Sequence, residues 1–216
     1  MKPRRYFITA TGTGVGKTFT TCALIHAAKK AGIHVSAKKP VLSGGIAAPS
    51  DATEIAQALG SDVFTVTRWP FAAALSPHRA AALEDAQIPF DELVAWSAGE
   101  GNVHLVEGVG GVMVPLDNTH TVVHWMQALG YPVILVAGSY LGTISHTLSA
   151  LKVLEMAGLE VAALVVSETA ESQVTLAETM RGLAPFIGHV PRCVAQPRVA
   201  SAEEAHEIHA LLEGLP

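Results

Sequence analysis

Tyr6-Phe7-Ile8-Thr9-Ala10 runs directly into Thr11-Gly12-Thr13-Gly14-Val15-Gly16-Lys17-Thr18, and the reading of this stretch decides the fold. A short β-prone segment ends in a glycine-rich turn, and residues 17–31 beyond it carry helical apolar spacing. Strand, Gly-x-Gly-Lys-Thr turn and helix, in that order, form the context in which a Walker A loop works. Its glycines let successive backbone N–H groups point inward around phosphate oxygens, and the helix start adds its positive end. Gly14, Val15, Gly16, Lys17, Thr18 and Phe19 are therefore expected to bind a nucleoside triphosphate. Lys17 would reach the β and γ phosphates, and the Thr18 hydroxyl would serve Mg²⁺.

Outward from this loop the same alternation recurs. Apolar or β-rich runs lie at 6–10, 34–37, 103–106, 132–137 and 161–166, and helical patterns at 17–31, 51–59, 78–84, 90–98, 121–129, 143–157, 172–183 and 202–212. Such alternation predicts a three-layer α/β/α fold with a mostly parallel sheet, of the P-loop NTPase kind, whose ligands sit beyond the carboxyl ends of the strands. With 216 residues, 50% of them hydrophobic and 15% charged, the chain reads as one ordered domain over 1–216. Glu155 and Glu160 interrupt apolar stretches well short of the roughly 20 residues a membrane span needs. The basic start Lys2, Arg4, Arg5 leads into a strand rather than a signal peptide. A net charge of −5 gives nucleic acid no general attraction, and two cysteines, Cys22 and Cys193, suit a reducing cytoplasm.

A Walker A loop needs a carboxylate on a neighbouring strand end. Val103-His104-Leu105-Val106-Glu107 supplies an apolar strand ending in an acid, and Gly108, Val109, Gly110 and Gly111 then form a second glycine turn able to approach phosphate and metal. The competing reading of Glu107 is a solvated strand end. Of Lys38 and Lys39, strand alternation allows only one to face the phosphate site, with Ser43 offering a hydroxyl nearby. Ser50-Asp51-Ala52-Thr53-Glu54 opens a helix, and Asp51 reads equally as a cap or as a magnesium ligand. Ten histidines include His120 with His124 and His206 with His209 at helical spacing, but no third ligand follows, so surface or packing roles are expected. Trp69, Trp96 and Trp125 are expected to pack helices on the sheet, and Cys22 to be a small core residue.

Taken in order, these segments resemble dethiobiotin synthetase. The loop matches at Thr11, Thr13, Val15, Gly16, Lys17 and Thr18; Lys39-Pro40-Val41 with Ser43-Gly44, Ser50-Asp51-Ala52 and Ser76-Pro77-His78 match its next motifs. Glu107-Gly108, Gly110-Gly111, Pro115-Leu116 and Leu141-Gly142-Thr143-Ile144 with His146 continue the series. Ala10, Gly12 and Val109 depart from the pattern, as does Ser167-Glu168, where the family usually places an asparagine linked to reading the base. A hydroxyl does not reproduce an amide's paired donor and acceptor. Gly188-His189-Val190-Pro191 resembles the family's turn beside the base, which implies base contacts for Pro191, Arg192 and Cys193 as well as Ser167 and Glu168.

The resemblance implies a cytoplasmic homodimeric ligase that closes a ureido ring on 7,8-diaminononanoate with CO₂, ATP and Mg²⁺. It implies metal ligation by Thr18, Asp51 and Glu107, action of Lys39, Lys17 and Thr13 at the reacting phosphate, and substrate contacts from Ser43, Gly110, Gly111, Leu141 and Gly142. Two other readings stand beside it: a partitioning or septum-positioning regulatory ATPase, whose signature lysine is here Gly12, and a non-catalytic nucleotide-binding relative of the ligase.

Overall fold

The computed structural model describes residues 3–47 and 49–215; Lys2 of the basic start lies outside them. In chain order the elements are β1 (Arg4–Ala10), α1 (Lys17–Lys30), β2 (Val35–Lys38), β3 (Val41–Ser43), α2 (Asp51–Leu59), α3 (Val63–Val66), β4 (Trp69–Phe71), α4 (Pro77–Leu83) and α5 (Phe90–Ser97). There follow β5 (Val103–Glu107), α6 (Val122–Leu129), β6 (Val133–Gly138), α7 (Thr143–Met156), β7 (Val161–Ser167), α8 (Leu176–Leu183), β8 (Cys193–Gln196) and α9 (His206–Gly214).

Six strands form one parallel sheet in the order β2-β5-β1-β6-β7-β8, and β3 pairs with β4 in a small parallel ribbon of its own. Alternation along β1 sends Tyr6, Ile8 and Ala10 to one face and Phe7 to the other, so two cores form. α1, α2 and α9 bury Leu24, Ile25, Ile55 and Leu211 on the first face. On the second, α4 to α8 bury residues such as Leu93, Trp125, Met126, Leu154 and Leu183. Trp125 meets Phe7 edge-on at 4.9 Å between ring centroids and donates Nε1–H to Ser97 Oγ at 3.1 Å. Cys22 is buried in the first core, where its thiol is pushed up to about 12 by burial and then by nearby carboxylates. Among the described residues no helix is long and apolar enough to cross a membrane.

The expected parallel three-layer architecture is the one found, with corrections in detail. β8 and the β3–β4 ribbon carry no periodic signal: they are three or four residues long, with Pro70 inside β4 and Pro40, Pro191 and Pro197 just outside β3 and β8. The helix expected over 172–183 starts only at Leu176, because Thr175 caps it by accepting from the Glu178 N–H. The one expected over 202–212 is a 3-10 turn at Ala202–Glu204 followed, after the non-helical Ala205, by α9.

Candidate active site

The glycine loop leaves β1 between β5 and β6, at the carboxyl edge of the sheet, and opens onto a cavity of about 750 Å³. Gly14 at φ 73° and Gly16 at φ 101° take left-handed backbone that favours glycine, and a Cβ on Gly16 would stand 2.9 Å from Ser167 Oγ. Lys17, at the head of α1, is buried and donates to the Gly12 carbonyl at 3.0 Å. Burial, followed by the charge of Lys39, lowers its ammonium to about 8.

Glu107 ends β5 at 0% exposure, so the solvated strand end is excluded. Its Oε1 accepts from Thr18 Oγ1 at 2.9 Å and Lys39 Nζ at 2.8 Å, and its Oε2 accepts from Thr21 Oγ1 at 2.6 Å. Lys39, 1% exposed, also donates to the Gly108 carbonyl at 2.8 Å and lies 3.0 Å from Asp51 Oδ2. Burial alone would depress the Lys39 ammonium, but Glu107 and Asp51 outweigh it and hold its pKa above the ordinary value. Burial would likewise raise Asp51, yet Lys39, helped by Thr18 and Lys17, keeps that carboxyl below its usual range. Lys38 turns the other way, donating to the carbonyls of Trp96 and Ala98 with its Nζ 4.4 Å from the Trp96 ring centroid.

The helix at Asp51 resolves its two readings by dividing the work. Ser50 is the cap, bonded reciprocally with Thr53, which leaves the Asp51 carboxylate to face Lys39. Thr18 Oγ1 and Lys39 Nζ meet on Glu107 Oε1 and Lys39 reaches on to Asp51, so a hydroxyl and two carboxylates gather at one point. This hard, all-oxygen donor set suits Mg²⁺, so the residues fit the metal that the loop calls for.

Thr13, Gly14, Gly16, Lys17, Thr18, Phe19, Lys39, Ser43, Asp51, Val109 and Gly110 all line the main cavity, with Glu107 and Gly108 directly behind it. Gly110 brings the second glycine turn against the first: a Cβ there would lie 3.7 Å from Thr13 Oγ1. Val15, Ser167 and Glu168 line a second cavity of about 330 Å³ that shares Gly14, Gly16 and Phe19 with the first. Gly111 packs away from the main cavity, against the Ala10 and Thr11 carbonyls. Leu141 and Gly142 border a separate hollow at the head of α7, with Leu141 85% exposed.

Pro191, Arg192 and Cys193 are not brought to the second cavity. Cys193 pairs with Leu164, three residues short of Ser167, so this segment stands at the far end of the edge strand. The turn that does border the cavity is Gln196-Pro197-Arg198-Val199, six residues further on than expected. Sequence reasoning missed Gln196, as well as Thr21 behind Glu107 and Leu42, Leu75 and Val114 on the main wall; Ser76 and Pro77 also line it, and their motif was visible. His120 stacks on Phe90 with centroids 3.9 Å apart and lies 2.8 Å from Asp117 Oδ2, while His209 donates to the Ala202 carbonyl.

A phosphate loop on a parallel sheet, with lysine and threonine at the helix head and an acid on the adjacent strand end, defines a P-loop nucleotide-dependent protein. Solved structures agree on the fold: the septum site-determining protein MinD of Pyrococcus horikoshii, complexed with Mg-ADP, superposes with a TM-score of 0.61 at 18% identity, over 98% of this chain and 95% of that one. A family model described as an AAA domain matches residues 4–196. Among curated proteins, the ATP-dependent dethiobiotin synthetase BioD of Acidiphilium cryptum is 43% identical over 86% of this chain and 89% of its own length. That of Phenylobacterium zucineum is 44% identical over 98% and 94%, and BioD 1 of Escherichia coli 37% identical over 92% and 95%. The chain belongs to the ATP-dependent dethiobiotin synthetase family, whose members are cyclo-ligases of biotin synthesis.

Proposed function

We propose that the protein closes the ureido ring of dethiobiotin from 7,8-diaminononanoate, CO₂ and ATP. The observation that carries this reading is the convergence of Lys39, Asp51, Glu107 and Thr18 beside the Lys17 loop, in a cavity that also exposes Ser43. One substrate amine adds to CO₂ and loses a proton, giving a carbamate. A carbamate oxygen then bonds to the γ-phosphorus as the bond to ADP breaks, and the second amine displaces phosphate from the resulting anhydride. Carbamate and triphosphate are both anionic, so bringing them together is chiefly a matter of positioning and charge neutralisation.

Lys17 takes the β and γ oxygens, and Lys39, released from one of its carboxylates, holds the carbamate against the γ-phosphate. The Ser43 and Thr13 hydroxyls orient the substrate and the transferring group, and carbonyls of the 107–111 turn accept from the diamine. Thr18, Asp51 and Glu107 would hold Mg²⁺, which supplies further neutralisation of the phosphates when bound. Leu141 and Gly142, too far round to share the main cavity, would serve the substrate carboxylate of a second copy in a homodimer acting in the cytoplasm.

Phosphate release from MgATP, measured with and without 7,8-diaminononanoate and bicarbonate and read beside product mass, tests the reading. Release that depends on both co-substrates and yields ring-closed product is expected; hydrolysis indifferent to the diamine would favour a switch ATPase. A sedimenting monomer with full activity would remove the shared site.

A further inference from the structure

Among the described residues, the buried polar atoms that lack a hydrogen-bond partner include Ser167 Oγ and Gln196 Oε1. They close the carboxyl ends of adjacent strands, paired in register, and both border the second cavity. Gln196 is only 2% exposed, so its bare carbonyl is an unmet acceptor in a place where such groups are normally paired. Its orientation is fixed. Nε2 donates to the Pro197 carbonyl at 2.6 Å, and flipping the amide would set two acceptors against each other. The cavity is thus offered an acceptor at Gln196 and, beside it, a hydroxyl that donates or accepts.

With the phosphates on the 12–18 loop and the γ end turned toward Lys39 and Ser43, the nucleoside has the second cavity to enter, since the two cavities meet at Gly14, Gly16 and Phe19. We propose that Gln196, with Ser167, reads the base, selecting a purine that carries an exocyclic amine at C6 over one that carries a carbonyl there. The amine donates to Gln196 Oε1, and the Ser167 hydroxyl donates to the neighbouring ring nitrogen. An oxygen at C6 instead faces Oε1 acceptor to acceptor. The amide function that Ser167 lacks is supplied from the next strand. This rests on the nucleotide-dependent reading of the site and adds to it the source of base selection.

The test compares MgATP with MgITP, which differ in that group and the adjoining ring proton, together with the triphosphate of purine riboside, which has no substituent at C6. Binding is measured directly and KM in the ring-closing assay. On the wild-type protein the expected order is ATP, then purine riboside triphosphate, then ITP, with ITP about 10- to 100-fold weaker than ATP, the range for leaving a buried polar group unpaired. In Gln196→Leu, ATP is expected to fall to within about threefold of ITP while ITP is unchanged or tighter, which also reports that the fold and phosphate grip survive. Ser167→Ala should weaken ATP without exchanging the order. ITP bound as well as ATP by the wild type overturns the proposal, as does a Gln196→Leu protein that keeps the wild-type ratio. The wild-type ranking needs no variant to fold. If the ranking holds but no nucleotide supports ring closure, the ligase reading fails and this assignment stands.

Discussion

Lys39 spends its three N–H bonds on Glu107, Asp51 and the Gly108 carbonyl, so it is a structural cation and, in the proposed reaction, also the charge that meets the carbamate. Lys39→Ala is expected to lower kcat by about 10²- to 10³-fold, as loss of a transition-state charge donor does. The same change leaves Glu107 buried without its cation, and chemical denaturation should report a loss of about 3 kcal/mol. Near-normal kcat would remove Lys39 from the mechanism. Thr21 acts one step back by fixing Glu107 Oε2 and so aiming Oε1 at Thr18. Thr21→Val should raise the apparent Mg²⁺ requirement by about tenfold while kcat at saturating Mg²⁺ stays near normal; a kcat loss that excess Mg²⁺ does not restore would contradict that role. At this scale the sequence is informative where chemistry is tied to a motif: Lys17, Thr18 and Glu107 stand out by spacing, and strand alternation left one lysine of the pair for the site. Thr21 is one hydroxyl on a helix face. Gln196 gains its meaning from the register of β8 against β7, which no local pattern carries.

Among the elements, the junction of α5 with β5 holds a second buried polar group. His104 is fully buried within β5, donates Nε2–H to the Ser97 carbonyl at 2.8 Å, and has Nδ1 2.8 Å from Ser36 Oγ. Burial first, and then the charges of Lys38 and Arg5, push it down from 6.5 to about 4. Above pH 6.5 the ring is neutral in both folded and unfolded chains. Between 6.5 and 4 the unfolded chain binds the proton and the folded one does not, so stability falls as pH falls. Urea unfolding should lose about 1 kcal/mol per pH unit across that window, and His104→Gln should flatten the slope. An unchanged slope would assign the acid sensitivity elsewhere. β5 and β6 are legible because both faces are buried and the apolar run is continuous; β8 is not, because a short edge strand flanked by prolines looks like loop. For the same reason the turn that borders the second cavity lies beyond the one the resemblance pointed to: Val190-Pro191 and Gln196-Pro197 look alike until the strand between them is seen.

On the scale of the whole molecule, alternating segments sufficed to foresee a parallel sheet with helices on both faces, while the spatial order of the strands remained hidden. That order has β5 lying between β1 and β2, although β5 is made more than sixty residues after β2 ends. Thr18 follows β1, Lys39 follows β2, and the carboxylate joining them is on the strand that separates them. A growing or refolding chain therefore has its phosphate loop early but lacks the acid that organises it until a distant segment has inserted. Pairing at such sequence separation is slow. MgATP is accordingly expected to slow unfolding, by stabilising a centre that exists only once the sheet is closed, and to leave the refolding rate nearly unchanged, which stopped-flow fluorescence with and without nucleotide would check. Faster refolding with MgATP would mean that the centre forms before the middle strand enters. On that expectation nucleotide in this architecture is a clamp on the finished fold rather than a template for it, and a chain stalled before β5 carries its glycine loop without the carboxylate that joins Thr18 to Lys39.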